Sequence, residues 1–275
     1  MLLLTQYPFL NMLYISFTKY NLLWDPYPVF NGIENYVKAF TDPILQSSIK
    51  VTGLIIAASV PSEFVLGLLI AFLIDSLSVG KNVIRSLIII PMVLPPIVSG
   101  IAWRLIFNPE YGPLNFFLNL FYNIGKIEWL GEPLPAVISI IISDIWQWTP
   151  FMFLIFYASL QSFPSDLRDA AYVDGASYLQ LMAHVILPEL MPVMSMALLL
   201  RLIDSLKIFD TVYMLTYGGP GYATHVLSFY IYKVAFKYME MGYASCLALL
   251  LLLIDLVLVY ALIKLLRIGE ALGVK

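Results

Sequence analysis

Apolar positions along this chain come in long runs rather than in the alternating or 3.6-residue patterns of soluble elements. A helix needs about 20 mostly apolar residues to cross a hydrocarbon core about 30 Å thick. Val51–Ile74, Ser86–Phe107, Leu134–Leu160, Leu190–Tyr217 and Ala244–Leu266 meet that requirement. Met1–Phe17 is shorter and is interrupted by Thr5, Gln6 and Asn11. It reads as the end of a first span whose opening residues lie outside this chain. A cleaved signal peptide is the competing reading, but the segment has neither a basic leader nor a small-residue cleavage site. The pattern therefore predicts an all-α, polytopic transmembrane bundle of six spans. Residues 18–50, 108–133 and 217–243 are left as loops on one side.

Composition agrees with that class. The 275 residues are 61% hydrophobic and only 12% charged, against about a quarter charged in a soluble domain. Mean hydropathy is +0.87. A net charge of −3 provides no basic field to hold a nucleic acid. The single cysteine, Cys246, excludes a disulfide framework, and two histidines, His184 and His225, give no basis for a metal site. Proline is frequent inside the runs: Pro61, Pro91, Pro95, Pro96, Pro150 and Pro192. Each removes a backbone donor, which is tolerated where the helix packs on protein or lines a cavity. That favours a transporter over an inert anchor. Charge does not orient the chain. Lys81, Arg85, Arg168, Lys264, Arg267 and Lys275 fall on one side and Lys19, Lys38, Lys50, Lys126, Lys233 and Lys237 on the other. The positive-inside rule needs an excess of basic residues on one side, and the two sets balance.

The segment Pro164–Pro188 is polar and amphipathic between two strong spans. Ser165 is expected to cap a helix with Asp166 and Asp169 near its start. Asp174-Gly175 is a helix stop. A second short helix is expected from Ala176 and is expected to close at Pro188. Ala170, Ala171, Gly175 and Ala176 permit close backbone approach, so the product is a knob suited to a socket on a partner. The alternative, a connector lying in the headgroup region, fits poorly with a polar face nearly devoid of Lys and Arg.

Asp169-Ala170-Ala171, Asp174-Gly175-Ala176 and then Val185, Leu187 and Pro188 resemble the EAA loop of ABC-importer permeases. Asp169 stands where that pattern has glutamate and Val185 where it has isoleucine. Ser16–Leu22, Asn31–Tyr36, Pro91–Pro96, Trp103, Phe107-Asn108-Pro109, Tyr111-Gly112, Thr216–Gly221 and Gly242–Ala244 extend the likeness over most of the chain. The chain is identified as a member of the carbohydrate-uptake permeases of the maltose, trehalose and glycerol-phosphate importers. The resemblance implies a single permease domain over residues 1–275 with the type I importer (MetI-like) fold in a prokaryotic cell membrane. It implies a cytoplasmic loop 164–188 docked on a dimeric ATPase, a second, different permease, a solute-binding protein and a carbohydrate substrate. No G-x-x-x-x-G-K-[ST] occurs, so the chain should hold no cofactor and hydrolyse nothing. ATP and Mg would belong to the partner ATPase.

Ionisable groups inside apolar spans are expensive and are therefore functional candidates. Arg201, Asp204, Lys207 and Asp210 recur every third residue and are expected to pair along one helix as a self-neutralising row. Either the row is purely structural, or Asp204 and Asp210 read sugar hydroxyls. Asp144, Trp146, Gln147, Trp148 and Thr149 offer ring faces and acceptors for a sugar, although tryptophan at a span end is often an interfacial anchor. Tyr213 joins the candidate pathway residues. Tyr213 and Tyr217 also suit an interfacial belt, and Glu63 and Asp255 have no assigned role. A phosphorylated substrate would need unpaired cations. An ion-coupled secondary transporter would use Asp204, Asp210 or Asp255 and an internal repeat. No repeat is seen, and no nucleophile–base pair suggests an enzyme.

Overall fold

The computed structural model describes residues 2–123 and 125–265, so Arg267, Lys275 and the last residue of the expected sixth run lie outside the described residues. Helix α1 (Leu2–Ser16) leads into a two-stranded antiparallel ribbon, β1 (Thr18–Lys19) and β2 (Val29–Phe30), with Thr18 opposite Phe30. There follow α2 (Glu34–Thr41), α3 (Pro43–Ser76), α4 (Lys81–Val93), α5 (Pro96–Ile106), α6 (Pro113–Tyr122) and α7 (Pro133–Gln161). The second half holds α8 (Ser165–Val173), α9 (Tyr178–Leu181), a π-turn (Met182–Ile186), α10 (Leu187–Ser205), α11 (Asp210–Leu215), α12 (Leu227–Phe236) and α13 (Met241–Leu265).

Four helical stretches among the described residues are long and apolar enough to cross a membrane: Pro43–Ser76, Pro133–Gln161, Tyr178–Ser205 and Met241–Leu265. A fifth is possible if α4 and α5 count together, although they meet at 96°. The expected straight span Ser86–Phe107 is thus broken at Pro95-Pro96. Two consecutive residues without an N–H, the first also forcing its predecessor Leu94 out of the helical region (φ −68°, ψ 133°), cannot continue the ladder. The expected span Leu190–Tyr217 is also revised. Its helix begins at Tyr178 and stops at Ser205, and α11 is a separate short helix. At 15 residues, α1 reaches about 22 Å at about 1.5 Å per residue, less than the hydrocarbon thickness.

The chain forms two compact units, one from Met1–Ile56, Gly100–Ile140 and Leu206–Leu258, the other from Ala57–Ser99, Ile141–Ser205 and Val259–Lys275. In the first, Asn35 is buried and donates to the Ser16 and Thr18 carbonyls at 2.8 and 2.9 Å, tying α2 to the end of α1. A Cβ on Gly242 would lie 2.1 Å from the Thr18 carbonyl oxygen, so only glycine lets α13 start against β1. Asp42 fastens the same region. Its carboxylate accepts the hydroxyls of Tyr230 and Tyr243 at 2.5 and 2.6 Å and the backbone N–H groups of Ile44 and Leu45 at 2.8 and 3.3 Å. Burial alone would raise this carboxyl, but the two hydroxyls and two amides outweigh it and hold it below the ordinary carboxylate value.

A group held below its unfolded-state value stabilises the fold above that value and loses the effect as pH falls through its folded value. Asp42→Ala should therefore destabilise the protein by about 1–2 kcal/mol at neutral pH. Thermal melts in detergent should show the gap between wild type and variant closing below the ordinary carboxylate range. A gap unchanged at low pH would contradict the assignment.

In the second unit α3 crosses α7 at Gly67, where a Cβ would sit 2.6 Å from the Met152 Cβ. The Phe64 and Phe156 rings meet edge to face at 5.1 Å beside this crossing. Close approach of these two helices brings Glu63 and Asp144 onto one partner.

Candidate functional site

The segment after α7 turns as expected at Asp174-Gly175: Asp174 ends α8 and Gly175 takes φ +83°. The start of the first helix differs. Pro164 is the cap, and Ser165 makes no capping bond but lies 3.4 Å from the Asp166 carboxylate. The N-terminal cap signal sits instead at Ser177. Its backbone N–H donates to Gln180 Oε1 at 2.8 Å, and its Oγ accepts from the Gln180 N–H at 3.4 Å. This reciprocal Ser-x-x-Gln box is a local sequence signature and could have placed the second helix correctly. Pro188 does not close that helix. The chain runs from Tyr178 to Ser205 through the π-turn, whose widened backbone contains His184, the residue whose carbonyl the Pro188 ring would otherwise strike.

Asp169, Ala170, Asp174, Gly175 and Pro188 are exposed, and Ala171, Ala176, Val185 and Leu187 are partly buried. Apolar side chains stand out around them: Val173 is 86% and Leu179 76% exposed. Three residues not anticipated fix the pair of helices to its own unit. Arg168 donates to Asp75 at 3.1 Å and to the Leu160 carbonyl at 2.7 Å, and the Tyr178 hydroxyl donates to the Phe72 carbonyl at 3.2 Å. An exposed apolar and small-residue surface on a braced base is suited to a protein partner.

The same unit contains a buried ion cluster. Arg201, 2% exposed, donates through Nε and Nη2 to Glu63 at 2.6 and 2.9 Å and through Nη2 to Asp144 at 2.7 Å. A longer bond of 3.3 Å reaches Asp204, whose side chain is 53% exposed. The Trp148 ring lies 5.1 Å from the guanidinium carbon, a favourable cation–π contact. Glu63 thereby acquires a role, and Asp144 is engaged by arginine rather than open to a ligand. Gln147 is buried and donates to the Leu94 carbonyl at 3.2 Å, while Trp146 is partly exposed.

Of the expected row from Arg201 to Asp210 only the Arg201–Asp204 rung forms, because α10 ends at Ser205. Lys207 instead pairs with Asp255 at 3.7 Å within the first unit, and Asp210 opens α11. Lys207, Asp210, Tyr213 and Tyr217 lie on the more open side of residues 207–217, while Thr211, Val212 and Leu215 are buried. Among the described residues no group of three or more His, Cys, Asp or Glu side chains could hold a metal.

The sequence model of the "Binding-protein-dependent transport system inner membrane component" family matches residues 63–267. The chain belongs to this family. It is a multi-pass permease subunit of an ABC importer in a prokaryotic inner membrane. The permease is 37% identical over 86% of its length to the trehalose/maltose transport system permease protein MalF of Thermococcus litoralis, covering 78% of that protein. It is 33% identical over 96% of its length to the trehalose transport system permease protein SugA of Mycobacterium tuberculosis, covering 84% of it. In fold it is similar to a chain of a bacterial ABC transporter involved in the import of the acidic polysaccharide alginate. The TM-score is 0.84 at 21% identity, over 95% of the permease and 89% of that chain.

Proposed function

We propose that the permease forms half of the translocation pathway for a neutral oligosaccharide or polyol, paired with a second, different permease. A solute-binding protein would deliver the substrate, and a dimeric ATPase, which holds ATP and Mg, would supply the work. The observation that carries the substrate class is the engagement of Arg201 by Glu63, Asp144 and Asp204 and of Lys207 by Asp255. A glycerol phosphate or other phosphorylated compound would need cations free to grip it. The names of the trehalose and maltose relatives agree with a neutral sugar. Side chains such as Lys207 and Tyr213, partly open at the end of an apolar segment, are costly against lipid and suit a wet pathway. Asp204, Asp210, Trp146 and Trp148 are the other candidate contacts, and Asp144 acts through Arg201.

The helical pair within residues 164–188 is proposed as the ATPase docking element, with Asp169, Ala170, Ala171, Asp174, Gly175, Ala176, Val185, Leu187 and Pro188 at or near the contact. This places the loop in the cytoplasm and segments 18–50, 108–133 and 217–243 outside. We treat residues 1–275 as one permease domain of six spans, with α1 in the first. An ion-coupled secondary transporter has no use for such an element.

The test is uptake of labelled trehalose and maltose by proteoliposomes. Uptake should require the second permease, the ATPase and the binding protein together, and the isolated chain should bind and hydrolyse no nucleotide. Uptake by this chain alone under an ion gradient would overturn the reading.

A further inference from the structure

Beyond the contact set above, the first unit carries an aromatic surface built from α11 and α12. Phe229, fully buried, is its floor. The rings of Tyr213, Tyr217 and Tyr232 stand around it at 6.3, 5.3 and 6.1 Å between centroids. Tyr232 continues to Tyr213 at 5.6 Å and to Phe236 at 5.6 Å.

The floor is held rigidly. A Cβ on Gly218 would lie 2.5 Å from the Phe229 ring, so the loop backbone presses directly on it. That loop is stapled by the Thr216–Thr224 hydroxyl pair at 2.6 Å and by Thr224 donating to the Gly219 carbonyl at 2.7 Å. The rim is open: Tyr217 is 44% and Phe236 57% exposed.

An interfacial belt would explain single tyrosines, but not this arrangement. Lys233 stands 5.8 Å from the Phe229 ring centroid, and exposed Lys237 adjoins Phe236, so ammonium groups edge the surface. Fixed ring faces with phenol hydroxyls at their edges match one chemistry well. A pyranose presents C–H groups on its faces and hydroxyls around its perimeter, so it can stack and hydrogen-bond at once.

We propose that Tyr213, Tyr217, Tyr232 and Phe236 form an outer stacking subsite that receives a sugar ring. The inference rests on the carbohydrate reading. It adds Tyr217, Tyr232 and Phe236 to the residues that handle substrate and gives the Thr216–Gly221 loop the task of bracing their floor.

The assembled transporter in proteoliposomes, with labelled trehalose and maltose as probes, tests it. Phe236→Ala, at an exposed position where truncation leaves no cavity, and Tyr232→Ala should each raise the apparent KM roughly tenfold. Maximal rate should stay within about twofold, since a capture subsite acts on occupancy rather than on the power stroke. Tyr232→Phe and Phe236→Tyr keep the rings and should restore the wild-type KM. An unchanged KM in both alanine variants would overturn the subsite, as would a KM raised equally by Tyr232→Phe, which would assign the effect to a hydroxyl bond. A wild-type transporter that takes up neither probe would instead refute the carbohydrate reading itself, before any variant is compared.

Discussion

Gly175→Trp should abolish transport and prevent co-purification of the ATPase while leaving the permease inserted in the membrane. Two effects combine. Gly175 has φ +83°, where a residue with a Cβ is strained by about 1–2 kcal/mol. The direction of that Cβ is empty, with nothing of the permease within 4 Å. The internal penalty is therefore modest, and a bulky side chain projects into the space a docked partner would occupy. Gly175→Ala separates the two: it carries the strain without the bulk and should retain most of the transport. Uptake should fall more than about a hundredfold for the tryptophan variant, because losing about 3 kcal/mol of contact is enough for that. Normal assembly of Gly175→Trp would show that the ATPase does not dock here.

Arg201→Met should be the most damaging single change to stability. It would leave Glu63 and Asp144, 0% and 3% exposed, side by side without their cation. Breaking a buried pair from one side costs about 3–5 kcal/mol, whereas replacing all partners by apolar groups of similar volume is often neutral. Detergent melts should show a loss on the order of 10 °C for the single variant. Arg201→Met combined with Glu63→Met and Asp144→Leu should recover most of it. If the triple variant is no more stable than the single, the cluster is not an electrostatic unit. Arg201→Lys should fall between them, since an ammonium lacks the fork that meets Glu63 through two nitrogens.

How far each feature is legible in the sequence follows from the range of the interaction behind it. Apolar length is a local property, so the runs around α3, α7 and α13 can be located directly. The turn at Asp174-Gly175 is equally accessible, because a left-handed glycine after a helix is a one-residue signal. The Ser177–Gln180 box is as local, although a helix start at Ala176 overlooks it. The regular three-residue spacing of Arg201, Asp204, Lys207 and Asp210 misleads, since it presumes a helix that stops at Ser205. The true partners, Glu63 for Arg201 and Asp255 for Lys207, are 138 and 48 residues away, beyond any local periodicity. The brace from Arg168 to Asp75 is hidden for the same reason. The aromatic surface is split between α11 and α12, so along the chain only the tyrosines at 213 and 217 stand out, as belt residues.

The unbroken backbone from Tyr178 through the π-turn to Ser205 has a mechanical corollary. A hinge between the helical pair and the membrane would let a pull on that pair dissipate as local bending. Here the wide turn keeps the helix continuous, and its far half is bolted through one guanidinium to α3 and α7. Force applied at the surface would be shared by all three helices at once, as torque on a single casting rather than slack in a string.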